Sequence, residues 1–157
     1  MEGRELRAPI DGRQSETALM IARGVRRMLR ARGFSSVTEL SLLDGRRADV
    51  VALHGDGSLL IVEIKSSIAD FRADRKWRDY GAHCDRLYFA IPPDVPPEII
   101  PLEAGLIVAD PYGAEILREP LPQRLAPATR RAVLLLFAQA AADRLHRLAD
   151  PNGVENG

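Results

Sequence analysis

Several things are scarce in this sequence, and each scarcity removes a class of function. Among 157 residues there is one cysteine, Cys84, which excludes an internal disulfide and a zinc site built from several thiolates, and suits a reducing compartment. Basic and acidic residues number 22 each, so the formal net charge is zero, and any phosphate-binding site has to be a local patch. The longest apolar run, AVLLLFAQAAA from Ala132, is too short to span a bilayer and reads as a core helix. Met1 to Gly12 is polar and has no apolar h-region, so a cytoplasmic protein without membrane attachment is expected. His54, His83 and His146 lack metal-ligand spacing, and neither an internal repeat nor a low-complexity segment is visible. Lysine is almost missing: only Lys65 and Lys76 stand among the 22 basic residues, the rest being arginine. A genome rich in G and C accounts for the arginines without any function; a lysine in this chain is the exception.

With 46% hydrophobic and 28% charged residues, the composition is that of one globular domain able to bury a core. The expected organisation is a flexible arm over 1–14, a single domain over 15–149 and a disordered tail over 150–157. Ser15 to Ala31 reads as an amphipathic helix: Ala18, Ile21, Ala22, Val25, Met28 and Leu29 share one face, with Ser15 as N-cap and Gly33 after the end. Residues 36–43, 47–54 and 58–65 read as three strands joined by the turn sequences LDGR and HGDG. The second and third are apolar on both faces, as in central strands covered by helices. SSIADFRADRKWRDYGAHC reads as one helix, with Ser67 and Asp70 spaced like a capping box. Strands over 86–92, 104–110 and 114–118 and an apolar helix from Ala128 to about Leu148 complete an α/β sandwich with a mixed sheet.

Three charged residues interrupt the apolar strands. Glu63 and Lys65 are two apart, so their side chains leave the same face of one strand. The placement of Asp49 depends on the turn. A three-residue loop with Gly57 left-handed pairs His54 with Ser58 and sets Asp49 opposite Glu63; a two-residue Asp56-Gly57 turn pairs Asp49 with Ile64 and puts it on the other face. If the three groups meet, two adjacent carboxylates repel unless a cation sits between them, and hard oxygen donors suit Mg²⁺ or Mn²⁺. A divalent cation lowers the pKa of water and polarises a phosphoryl oxygen, while a compact ammonium offsets charge developing in the transition state, which is an apparatus for phosphodiester hydrolysis. The plainer alternative is a cross-strand ion pair, Glu63 and Lys65 emerging at the strand end as a solvated bridge; in the catalytic reading too the Lys65 ammonium is expected to reach water there, so that its loss costs little stability.

A first helix, a meander carrying an aspartate, and an apolar strand ending in EIK and running into a helix together resemble the PD-(D/E)XK nuclease superfamily. Within it, RRADVVALHGDGSLLIVEIKSSIADFRADRKWRDYGAHCDRLYFAIP resembles the MmcB-like, DNA-repair-associated proteins of bacteria. The resemblance runs from about Ser15 to Arg131 and is most specific between Arg46 and Pro92. It implies a restriction-endonuclease-like sandwich, a mixed central sheet with an αβββαβ core flanked by helices. It further implies that Asp49 and Glu63 hold Mg²⁺ or Mn²⁺ with the Ile64 carbonyl, and that Lys65 is the catalytic lysine. The implied function is metal-dependent DNA endonuclease activity in repair, with damaged, branched or single-stranded DNA as substrate and a repair protein as a further partner. The motif's proline is replaced by Ala48. The superfamily often adds a glutamate from the first helix, and Glu16 is the matching residue, although on a helical wheel it lies almost opposite the apolar face, beside Arg23 and Arg27.

Other residues bear on DNA binding. Arg23, Arg26, Arg27 and Arg30 line one side of the first helix, either as a solvated face or as a phosphate-binding stripe. Ser67 reads first as a helix cap beside the site, Trp77 as core, and Tyr80 as a group able to reach a phosphate or stack on an unpaired base. Asp70, Asp74 and Asp79 read as partners of Arg75 and Arg78 or of the helix dipole. The rival to a nuclease is a DNA- or protein-binding module on the same fold, which has no need of the lysine.

Overall fold

The computed structural model describes residues 2–152, with side chains from Glu16 onward. Its elements are α1 (Glu2–Ala31), β1 (Phe34–Ser41), β2 (Arg47–His54), β3 (Leu59–Ile64), α2 (Ile68–Ala73), β4 (Arg86–Ile91), β5 (Gly105–Ala109), β6 (Ala114–Arg118) and α3 (Pro127–Ala149). The backbone is helical from Glu2, so Ser15 lies inside α1; the side chains of the arm expected over 1–14, and the tail from residue 153 onward, lie outside the described residues.

The six strands form one mixed sheet in the order β1-β2-β3-β4-β5-β6. The β1/β2, β2/β3 and β5/β6 pairs are antiparallel, and β3/β4 and β4/β5 are parallel. Each parallel pair needs a crossover, supplied by residues 65–85 and 92–104. Both faces of the sheet are covered, which is why β3 is buried at every position. On one face Ile21, Ala22, Val25 and Leu29 of α1 pack on Val50, Ala52, Leu60, Val62 and Ala90. On the other, Val133 and Phe137 of α3 join Trp77, Val51, Leu59, Ile61, Phe89 and Ile91. Gly24 lets α1 close on the β5–β6 turn, since a methyl group there would overlap the carbonyl oxygens of Asp110 and Gly113.

Two local features decide where the charged residues go. First, the loop after β2 takes its three-residue form: the His54 N–H donates to Ser58 O and the Gly57 N–H to His54 O, both at 3.0 Å, with Gly57 at φ +90°. The register that follows pairs Val50 with Val62 and Val51 with Ile61, so Asp49 stands opposite Glu63. Second, the helix expected over 66–84 is broken. After α2, Asp74 leaves helical geometry (φ −91°, ψ 94°), and a 3-10 helix, Trp77–His83, follows. The reason is competition for the backbone: an aspartate carboxylate can bond nearby groups outside a helix, and Asp74 accepts from the Lys76 N–H at 3.2 Å and from Lys65. The break also turns Trp77 inward, where its ring meets Phe89 edge-on at 5.2 Å.

Candidate metal centre and basic groove

β2 and β3 run antiparallel, so the start of β2 lies beside the carboxyl end of β3, and Asp49, Glu63 and Lys65 gather there. The Asp49 N–H donates to Glu63 Oε1 at 3.0 Å, and the Ile64 N–H donates to Asp49 Oδ2 at 2.8 Å. Glu63 is 3% exposed, and burial followed by the Asp49 charge holds its carboxyl well above the usual carboxylate range. Asp49 is raised as well, chiefly by burial. Two adjacent carboxylates repel, and both shifts favour the neutral form, most strongly at the more buried Glu63.

Lys65 corrects the expectation of a water-exposed ammonium. It is 6% exposed, its N–H continues the parallel ladder to Ala90 O at 3.0 Å, and its Nζ donates to Asp74 Oδ2 at 2.9 Å. Asp74 is therefore the lysine's partner, not that of Arg75 or Arg78. Arg78 instead stacks on the Trp77 ring at 4.3 Å and pairs with Glu103, while Asp79 pairs with Arg46 at 2.6 Å. Asp70 faces the strand end and accepts from the Ser66 N–H at 3.1 Å, and Ser67 caps α2 by accepting from the Asp70 N–H at 3.0 Å. Ser67 is exposed and does not line the cleft described next, whereas Ser66 does.

These groups open into a cleft of about 770 Å³. Ile64, Arg47 and Tyr80 line it, with Thr38 and Glu39 from β1 and Ala18 from α1. The Tyr80 hydroxyl donates to Arg47 O at 3.4 Å, and burial with the Glu63 and Asp49 charges pushes its ionisation upward, so it enters the cleft as a neutral phenol. Glu39, opposite Asp49 on the neighbouring strand, has φ +51°, a left-handed conformation that costs a non-glycine residue of order 1–3 kcal/mol. Arg144 of α3 holds it there, donating to the carbonyls of Thr38 and Glu39 at 2.5 and 3.1 Å. Glu16 is exposed on α1 and does not line the cleft. Among the described residues no group of three His, Cys, Asp or Glu side chains gathers to hold a metal ion. Asp49 and Glu63 are the carboxylates linked by hydrogen bonds at the strand end, and Ile64 lines the same cleft. This fits Mg²⁺ or Mn²⁺, which take one or two carboxylates and fill the remaining positions with water and phosphate.

Residues 5–152 match the model of the family described as DNA repair protein MmcB-like. The chain belongs to that family. No curated protein matches it. A solved structure, the SPO1766 protein of unknown function from Silicibacter pomeroyi, is 46% identical; the match covers 89% of this chain and 96% of that one, at a TM-score of 0.86. No helix among the described residues is long and apolar enough to cross a membrane.

The arginines of this MmcB-like chain lie beside the cleft. Arg23, Arg26, Arg27 and Arg30 of α1 line a groove of about 610 Å³ whose opposite wall is the edge strand β1. Arg26 is tied to that wall, its Nε donating to Ser36 Oγ at 2.9 Å and its Nη2 to Ser36 O at 3.1 Å. Asp74 and Glu39 were hidden from sequence reading: the first behind an apparently continuous helix, the second because a lone glutamate in a strand carries no sign of positive φ.

Proposed function

We propose that this MmcB-like protein is a metal-dependent DNA nuclease of the PD-(D/E)XK type, on a restriction-endonuclease-like sandwich, acting in DNA repair. One observation carries the reading: Asp49 and Glu63 are in contact at a strand end, each fixed by a backbone N–H, with an ammonium two residues on. Asp49 and Glu63 would hold Mg²⁺ or Mn²⁺ with the Ile64 carbonyl, and the cation would supply Lewis acidity toward a phosphate oxygen and lower the pKa of water. The rest is the chain's own work. The N–H groups of Asp49 and Ile64 orient the two carboxylates, so little rearrangement is needed on loading. Lys65, steered by Asp74, keeps two of its three ammonium hydrogens for other acceptors and offsets charge gathering on a phosphate in the cleft. Support for DNA as substrate comes from the family, described as one of DNA repair proteins.

The test is a cleavage screen with Mg²⁺ and Mn²⁺ over single-stranded, duplex, flapped and branched DNA, with Asp49→Asn alongside. Cleavage by the wild type that Asp49→Asn abolishes is the expected result. Cleavage retained in Asp49→Asn would sink the proposed centre. If neither protein cuts any substrate, a non-catalytic binding module on the same fold takes its place.

A further inference from the structure

We infer that the groove between α1 and β1 is a binding track for single-stranded DNA, which delivers one strand's phosphates to the acidic cleft. The inference deepens the nuclease reading and rests on it for the choice of DNA, but the track itself stands on separate observations. In a chain of zero net charge, four arginines face one groove, and among the described residues no acidic side chain lines it. Arg26 is engaged by Ser36, whereas Arg23, Arg27 and Arg30 have no carboxylate partner among the described residues. All three are exposed on α1, so their charge faces the solvent and whatever enters the groove. Residues 23 to 30 advance along the helix by about 10 Å, the reach of two or three consecutive phosphates.

Three features favour one strand over a duplex. The groove is concave and of the size that takes one or two nucleotides, small-molecule scale, not a double helix. Its wall carries a half-buried aromatic ring, Phe34, packed edge-on against His54 at 5.0 Å, and an unpaired base can stack there, whereas a base inside a duplex cannot. Finally, the groove shares Leu19, Ala22 and Thr38 with the cleft that holds Asp49 and Glu63, so the two are continuous. Charge changes sign at that junction, from arginines to carboxylates. A strand held by the arginines therefore presents its next phosphate where only a cation can reconcile it with Asp49 and Glu63.

The experiment measures binding without cleavage. A fluorescent oligothymidylate and a duplex of equal length are titrated in EDTA against wild type and against the triple variant Arg23→Ala, Arg27→Ala, Arg30→Ala. An equal-charge control replaces Arg124, Arg131 and Arg147, which are exposed elsewhere. Losing three phosphate contacts should lower the slope of log affinity against log salt by about 2 for single strands. At low salt the affinity should fall about 20-fold or more, while the control binds like wild type. Phe34→Leu, which keeps an apolar wall, should weaken single-strand binding about 5-fold and leave duplex binding unchanged. Wild-type affinity in the groove variant, or equal loss in the control, overturns the track. A duplex bound as tightly as the single strand overturns the choice of ligand. Because no metal is present, a failure of the nuclease reading does not alter these outcomes.

Discussion

Replacing Lys65 separates its service to the fold from its service to chemistry. Its stem is buried, with 6% of the residue exposed, and its ammonium sits 2.9 Å from an Asp74 carboxylate whose side chain is 20% exposed. Lys65→Met keeps the stem and removes the charge, leaving Asp74 without its partner. Breaking a fully buried ion pair from one side costs about 3–5 kcal/mol, but Asp74 can recruit water, which brings the expected loss to about 2 kcal/mol. For a domain of this length that is a fall in Tm of about 4–8 °C. Lys65→Ala also forfeits stem burial and should lose about 1–2 kcal/mol more. Urea unfolding can be followed through Trp77, the one tryptophan, which is buried against Phe89. A double-mutant cycle with Asp74→Asn isolates the pair. If Lys65→Met unfolds at the wild-type midpoint and shows no coupling to Asp74, the ion pair is not what holds Lys65. The chemical role is read at a temperature where both proteins are folded, where Lys65→Met should cleave about 10²-fold more slowly at little cost in DNA affinity. Lys65→Arg should not restore the rate, because a planar guanidinium cannot replace a point charge in that space.

Mn²⁺ should raise the Tm of the wild type by binding only the folded state, and should leave Asp49→Asn unmoved; equal shifts by calorimetry would remove Asp49 from the ligands. In metal-free protein the raised Glu63 pKa means that the unfolded chain ionises first as pH rises. Stability therefore declines from about pH 4.3 up to the folded-state pKa, and Glu63→Gln should melt above wild type at neutral pH, a lower Tm refuting the buried-proton account. Asp85 has the opposite sign. The Arg130 hydrogen bonds at 2.7 Å hold its pKa down, so its contribution is present above about pH 4 and lost as pH falls through the folded value; Arg130→Met should cost about 2 kcal/mol at pH 7 and flatten that acid limb. Burial pushes the Cys84 thiol up to about 12, so a thiol reagent should label it only as fast as the protein unfolds, and rapid labelling of the native state would contradict its packing.

Much of the fold was legible because it is written in local periodicity. The central strands are buried on both faces, the helix over Ala18–Leu29 keeps its apolar stripe, and glycine sits at each tight turn, so six strands and two long helices can be read within a few residues of their ends, except the start of α1, which is helical from Glu2 and not from Ser15. What escaped was decided by side chains competing for backbone. Nothing in RADRKW distinguishes a helix from a helix that stops, because Asp74 is a tolerable helix residue until a buried ammonium offers it a better bond. α3 misled in the other direction. Its run of leucines suggests burial, yet only Val133 and Phe137 are fully covered, while Leu135, Leu145 and Leu148 are exposed.

The candidate site shows how one backbone angle can bring two carboxyl groups together. Residue types alone left two registers open, one with Asp49 and Glu63 together and one with them on opposite faces of the sheet. Side-chain burial does not choose between them, since β2 and β3 are apolar on both sides. The choice lies in the turn: Gly57 at φ +90° closes a three-residue loop, and every pair from Leu53–Leu59 to Val50–Val62 follows from it. A side chain at Gly57 would meet no atom within 4 Å, so any cost of substitution there is conformational. The loop's preference thus propagates eight residues along the strand to two buried carboxyl groups, where burial raises both pKa values and the Asp49 charge raises that of Glu63 further.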